Sequence, residues 1–231
     1  MDDSGDLLTQ GIKTLCKNDS DFESLVAPHS QKILTSLELY IKEIELFNPA
    51  YGLVGTTDRN ELIIKHILDS LAPLGLIKRL LKIPFGTIAD AGSGAGLPGI
   101  PLAITMPDCE FTLIERSGRR ANFLRDTLAA TGLGNIIVEE SEMEKVKPGR
   151  FDVVVFRALK TLDSKILRKL SRLCREKGIL AAYKGRREKI INEMELLEKT
   201  LPGLAGHWKF IPCPVPMLDE ERHLVTVNRN F

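Results

Sequence analysis

The sequence predicts an α/β protein: a largely parallel sheet with helices on both faces and a helical stretch ahead of it. Three observations carry that prediction. From Phe85 onward short β-rich runs alternate with helical segments. A glycine-rich stretch links the first of these strands to its helix, and the last two strands have no helix between them. The length of 231 residues suits one domain of ordinary size with a short extension. With 43% hydrophobic and 27% charged residues the chain is globular in composition.

Ahead of the sheet, residues from about Gln31 to Phe47 place Ile33, Leu34, Leu37, Leu39, Tyr40, Ile41, Ile44 and Phe47 in a helical pattern. Asn48-Pro49 is expected to end that helix, because proline restricts the residue before it. A loop from Ala50 to Thr57 follows. Asp58 then caps a second helix, Arg59 to Leu71, with Pro73 just beyond.

The predicted strands are Thr87–Ala91, Glu110–Glu115, Ile136–Glu139, Phe151–Phe156, Gly178–Tyr183, His207–Ile211 and His223–Val227. The helices between them are about Ile100–Met106, Gly118–Thr131, Asp163–Glu176 and Arg186–Thr200. Strand–helix alternation makes βαβ units and a parallel sheet. The last two strands, joined only by a proline-rich acidic turn, form an antiparallel hairpin at the sheet edge. A seven-stranded, mostly parallel sheet closed by a terminal hairpin is the Rossmann-like layout of class I methyltransferases. A dinucleotide dehydrogenase builds a second mononucleotide half instead. The expected organisation is an N-terminal helical extension over residues 1–84 and a ligand-binding domain over 85–231, packed as one unit.

The stretch Asp90-Ala91-Gly92-Ser93-Gly94-Ala95-Gly96-Leu97-Pro98-Gly99 is the strongest local signal. Glycines let the backbone turn tightly against a ligand with no Cβ in the way, and the loop lies at the carboxyl end of a strand, where open α/β sheets bind ligands. Gly94 to Gly99 matches the GxGxxG of dinucleotide sites literally, and Gly92 to Gly96 matches the GxGxG of methyltransferases. Glu115, closing the second strand, is placed to bind ribose hydroxyls under either reading. The terminal hairpin and Asp90, an acid before the first glycine, tip the reading to S-adenosyl-L-methionine.

Composition closes off other classes. Cys16, Cys109, Cys174 and Cys213 are far apart in sequence and form no CxxC pair, so no metal site is expected. The N-terminus lacks the basic start and apolar run of a signal peptide, and no apolar stretch approaches membrane-spanning length. The expectation is a cytoplasmic protein without a membrane or an obligate protein partner.

Several motifs together resemble the bacterial 16S rRNA guanine-N7 methyltransferases of the RsmG (GidB) family. They are Lys65-His66-Ile67-Leu68-Asp69-Ser70, the loop Gly92 to Pro101, and Phe111 to Glu115 followed by Gly118-Arg119-Arg120. Phe151-Asp152 with Arg157-Ala158, then Tyr183-Lys184-Gly185 and Arg222-His223-Leu224-Val225, complete the match. The resemblance spans roughly Asn48 to Val227. One departure stands out: Gly52-Leu53-Val54 and Thr57 occupy the places of a family NLT triplet and an arginine. The resemblance implies methyl transfer from S-adenosyl-L-methionine to guanine N7 of 16S rRNA, free or within the small ribosomal subunit. It implies cofactor contacts from Gly92, Leu97, Met143, Glu144 and Arg157, to which the loop reading adds Gly94, Gly96 and Glu115. On residues alone, Met143-Glu144 reads equally as a surface turn.

Arg157, at the end of a strand facing the crevice, is also the candidate catalytic residue, aligning cofactor or substrate through its planar fork. His66 and Asp69, three apart on one helical face, read either as an acid/base dyad or as a packing pair that holds the helix over the site. Guanine N7 carries an exposed lone pair and needs no deprotonation, which favours the packing role. Substrate contacts are expected from His66, Lys184, Arg186 and Arg187. Other basic groups surround Arg116–Arg125 and Arg168–Lys177. The net charge of +1 neither requires nor excludes a nucleic-acid partner. Two alternatives stay in view: an NAD-linked oxidoreductase using the GxGxxG loop, and a non-catalytic ribosome assembly factor.

Overall fold

A computed structural model describes residues 4–157 and 162–231. Seven strands form one sheet: β1 (Thr87–Ala91), β2 (Glu110–Glu115), β3 (Ile136–Glu140), β4 (Phe151–Arg157), β5 (Cys174–Lys184), β6 (Trp208–Pro212) and β7 (His223–Asn228). Their spatial order is β3-β2-β1-β4-β5-β7-β6. Pairings among β1 to β5 are parallel, while β7 runs antiparallel to both β5 and β6. The hairpin follows β5 directly in the sheet, where a dinucleotide enzyme would continue with further parallel strands. β4 is the middle strand with β1 beside it, and the order of strands along the chain reverses across the sheet between β1 and β4. Such a switch point opens a crevice at the carboxyl ends of the strands.

The helices preceding the sheet are α1 (Ser4–Asn18), α2 (Ser20–Val26), α3 (Ser30–Tyr51), α4 (Arg59–Leu62), α5 (Asp69–Leu71) and α6 (Leu74–Leu81). Within the sheet region lie α7 (Gly99–Thr105), α8 (Gly118–Thr131), α9 (Ser164–Leu173) and α10 (Arg187–Thr200). Alternation along β4 shows how the layers divide. Val153 and Val155 point into a cluster with α1 to α8, while Val154 and Phe156 point into a second with α9 and α10. The N-terminal helices thus share one continuous core with the sheet.

Three expectations need correction. The helix expected to stop at Asn48-Pro49 runs on to Tyr51. Pro49 falls in its last turn, where it removes one N–H donor without stopping the helix, and Gly52 at φ 58° caps it by donating to the Asn48 carbonyl at 2.9 Å. The helix expected over Asp163–Glu176 ends at Leu173, because Cys174 turns extended and pairs with Phe151. β5 therefore starts four residues early, through a bulge against β4. Finally, the helix over Arg59–Leu71 has a π-helical middle, Ile63–Leu68, between α4 and α5. Asp58 caps its start as expected, accepting from the Glu61 N–H at 2.7 Å.

Candidate functional site

The glycine loop leaves β1 with Gly92, Gly94 and Gly96 at φ 75°, 59° and 91°. In this left-handed region a side chain would be strained. The turn is closed from both sides. Gly92 and Ser93 donate to the Ile114 carbonyl of β2, and the buried Tyr40 hydroxyl of α3 donates to the Ala95 carbonyl at 2.9 Å. The glycines divide their work. A Cβ at Gly94 would point into open space, its nearest neighbour 3.9 Å away. A Cβ at Gly96 would instead lie 2.5 Å from Ile100, so Gly96 serves the packing of α7. Leu97 is buried within the same core.

Glu115 is buried at the end of β2, and its two oxygens accept from the backbone N–H groups of Gly94 (3.0 Å) and Ser117 (2.8 Å). The carboxylate braces the loop, and each oxygen keeps a second lone pair for another donor. Asp90 is fully buried beneath the loop. Its Oδ2 accepts from the Gly99 N–H at 2.9 Å, while its Oδ1 has no partner among the described residues. Burial pushes its carboxyl up to about 7. Met143 and Glu144 follow β3 at the same edge of the sheet. Arg172 donates to both their carbonyls, and the exposed Glu144 pairs with Lys169, which holds its carboxyl below the usual range.

Arg157 ends β4, the other neighbour of β1, and organises a second group of residues. Its Nη1 donates to Asp69 Oδ2 at 3.0 Å, and its Nη2 donates to His66 Nδ1 at 3.0 Å. Asp69, with 8% side-chain exposure, also accepts from Arg222 Nε at 3.1 Å. Burial pushes the Asp69 carboxyl up, and the two arginines pull it back. His66 is pushed down to about 4 by burial and by the Arg157 charge, so it is neutral at physiological pH. Tyr183 of β5 donates to the Ser70 carbonyl at 2.8 Å and fastens the helix to the sheet. These residues wall a cleft of about 270 Å³ that Lys65, Gly185 and His223 also line. Ala158, which completes the Arg157-Ala158 match, lies outside the described residues.

The predicted residues are not all brought together. Gly92, Gly94, Glu115 and the Met143-Glu144 turn lie over β1 to β3, and Arg157 and His66 lie over the cleft. Lys184 lines the cleft but pairs with Glu193 of α10 at 2.7 Å. Arg187 stacks over Phe210 at 5.6 Å, and its backbone N–H donates to Glu221. Arg186 and Lys189 are exposed at the start of α10. Much of the other expected basic surface is paired: Arg119 stacks on Tyr51, Arg125 pairs with Glu140, and Arg175 pairs with Asp152. Among the described residues no group of three or more His, Cys, Asp or Glu side chains could hold a metal ion. None of the described helices is long and apolar enough to cross a membrane.

Sequence reasoning missed Arg222 as a partner of the site, 153 residues beyond the Asp69 it binds. The only signal was its place at the head of the Arg222-His223-Leu224-Val225 motif. It also missed the π-helical winding that carries His66.

Comparison with known proteins agrees with this layout. Among solved structures, a candidate S-adenosyl-L-methionine-dependent methyltransferase of Methanococcus maripaludis superposes with a TM-score of 0.53 at 17% identity, covering 83% of this chain and 92% of that one. The tRNA (m1A58) methyltransferase TrmI of Aquifex aeolicus gives a TM-score of 0.50 at 16% identity over 68% of each chain. These likenesses establish the class I fold. The ribosomal RNA small subunit methyltransferase G of Treponema denticola is 37% identical, over 98% of this chain and 97% of its own length. Its Xanthomonas campestris counterpart is 35% identical, over 96% and 98%. Residues 33–224 match the GidB family, described as rRNA small subunit methyltransferase G. With that family match and those relatives in hand, and with the glycine loop and the arginine-walled cleft sharing one edge of the sheet, this chain belongs to the GidB family of rRNA small subunit methyltransferases.

Proposed function

We propose that this chain transfers a methyl group from S-adenosyl-L-methionine to guanine N7 of 16S rRNA, free or within the small ribosomal subunit. The observation that carries the reading is the shared edge of the sheet. A backbone cradle over β1 to β3 stands beside a polar cleft over β4 and β5, so two ligands can meet between β1 and β4. The NAD-linked and non-catalytic alternatives find no support in the family match.

The residues present fit the cofactor. The open space beside Gly94 is where a Cβ would otherwise stand, and the buried Asp90, whose Oδ1 has no partner among the described residues, would set a carboxyl beneath a cationic ligand in the loop. When bound, the cofactor supplies an electrophilic methyl group. Gly92 and Gly94 would admit its methionine part, Glu115 would accept from its ribose, and Met143 and Glu144 would flank its adenine. Methionine packs softly on an aromatic ring.

On the other side, the cleft orients the purine so that the N7 lone pair faces the methyl carbon. The methyl group that the cofactor would supply would pass to the N7 lone pair as its bond to sulfur breaks with both electrons left on sulfur. No proton has to move. His66 is unsuited to serve as a base in any case, since its Nδ1 is occupied by Arg157. Catalysis then rests on alignment and on exclusion of water. Arg157 positions the cleft wall through His66 and Asp69, and Arg186 with Lys189 would meet RNA phosphates. The extension over 1–84 and the domain over 85–231 would act as one unit, since Tyr40 fastens the cofactor loop.

The test is incubation with labelled S-adenosyl-L-methionine and small-subunit RNA, then mapping of the label. One modified guanine, with the label released by chemistry selective for N7, supports the reading. No label in RNA, or label on another atom, removes it.

A further inference from the structure

The contact between Arg157 and His66 fixes more than a side-chain position. A guanidinium has five donors and no acceptor, so the nitrogen it meets at 3.0 Å must accept. His66 Nδ1 is therefore bare, and the proton of the neutral ring sits on Nε2. Among the described residues Nε2 has no hydrogen-bond partner, and it is not a buried, unsatisfied atom, so it opens to the cleft. Asp69 holds Arg157 from the other side, which locks the fork and, through it, the tautomer. The cleft wall thus carries one fixed, uncharged donor.

That donor has a purpose at this reaction. On the edge that bears N7, guanine presents two acceptors, N7 and O6, whereas adenine presents N7 beside an amino donor. With N7 turned to the methyl group, the neighbouring O6 turns to the cleft wall. We propose that His66 Nε2–H donates to guanine O6 and is the group by which the site selects guanine over adenine. This assignment rests on the methyltransferase reading above. An N–H facing an adenine amino group would leave two donors opposed and desolvated, which a buried site penalises strongly. Neutrality matters as well: N7 becomes cationic as the bond forms, and an imidazolium at O6 would oppose it. The fall of the His66 pKa to about 4 keeps that charge away at working pH.

The test compares single-turnover methyl transfer to four RNAs that differ only at the target base: guanine, inosine, 2-aminopurine and adenine. Inosine keeps O6 and lacks the 2-amino group, and 2-aminopurine does the reverse. Wild-type protein is expected to methylate guanine and inosine about tenfold or more faster than 2-aminopurine. His66→Ala should slow guanine by about tenfold more than it slows 2-aminopurine and so erase the preference. His66→Gln offers an oxygen to Arg157 and an N–H to the base, and should restore the preference. Thermal melts check that both variants fold. A His66→Ala that slows guanine and 2-aminopurine equally, or a preference that survives it, overturns the assignment while leaving the methyltransferase reading standing. No transfer to guanine by the wild-type protein defeats both.

Discussion

The two halves of the proposed ligand-binding edge are built from different materials. Over β1 to β3 the cradle is mostly backbone: turning glycines, N–H groups and a carboxylate that braces them, all within about two dozen residues. Over β4 and β5 the cleft is mostly side chain, held by an arginine–aspartate–arginine chain whose links span 88 and 153 residues. The first half is a local device that a short motif can specify. The second exists only once the whole sheet has closed and α4, α5 and the terminal hairpin have converged on Arg157. Substitutions in the two halves should therefore fail in different ways.

The largest effect is expected at the link between them. Arg157→Ala leaves the Asp69 carboxylate with one partner in place of two and frees the His66 ring. Breaking a buried pair costs about 3 kcal/mol, so denaturant melts should fall by that order and single-turnover transfer should drop by about a hundredfold or more. Arg157→Lys should rescue little, because an ammonium has no fork to hold both partners. Near-normal activity in Arg157→Ala would show that the cleft needs no such centre.

A change in the cradle should behave oppositely. Gly94→Val puts a branched side chain into the open space of the loop. It should weaken cofactor binding by about a hundredfold, with only the modest strain of a left-handed position, about 1 to 2 kcal/mol. Calorimetry that finds normal affinity would show that the loop does not hold the ligand.

Asp90 sharpens the contrast through pH. Its carboxyl, raised to about 7 by burial, binds a proton in the ligand-free fold near neutrality. A cationic ligand beside it favours the carboxylate, so binding should release a proton and tighten about tenfold from pH 6 to pH 8. By the same linkage the ligand-free fold should lose stability as pH rises from about 4 to about 7 and level off above that, since the unfolded carboxyl ionises at the lower pH. Asp90→Asn should flatten both dependences. Calorimetry in two buffers of different ionisation enthalpy reads the proton directly, and a wild-type affinity independent of pH would refute the assignment.

The smallest effect belongs to the exposed cations. Changing Arg186 and Lys189 to Ala should reduce the salt dependence of RNA binding by about 0.7 to 0.9 log units for each phosphate left without its cation. Arg187→Ala should change it less, because that side chain already stacks on Phe210. Slopes unchanged from the wild-type value would return the group to ordinary solvated surface.

The contrast also explains what could be read in advance. The strands, the terminal hairpin and the glycine loop follow from short-range patterning, and β1 and β2 begin and end where periodicity puts them. The helices α1, α2 and α6 carried no distinct signal beyond a general helical extension, and Cys174 joined β5 through pairing with β4 that no local pattern displays. The turn at Gly94 and the position of Glu115 at the end of β2 could be placed from the motif alone. Arg222 could not, nor could the pairing of Lys184 with Glu193, because both depend on partners outside any local motif.

The π-helical segment Ile63–Leu68 carries one more consequence, for how this stretch tolerates change over evolution. From this segment and the residue that follows it, His66 and Asp69 both reach Arg157. An α-helix advances about 100° per residue, so an insertion or deletion that the wider turn does not absorb would swing Asp69 away from both arginines by about that angle. Exchanging one apolar residue for another would leave the winding intact. Insertions and deletions, which surface loops absorb freely, should be the rarer and costlier events in this helix, while its residue identities drift within the limits of the core.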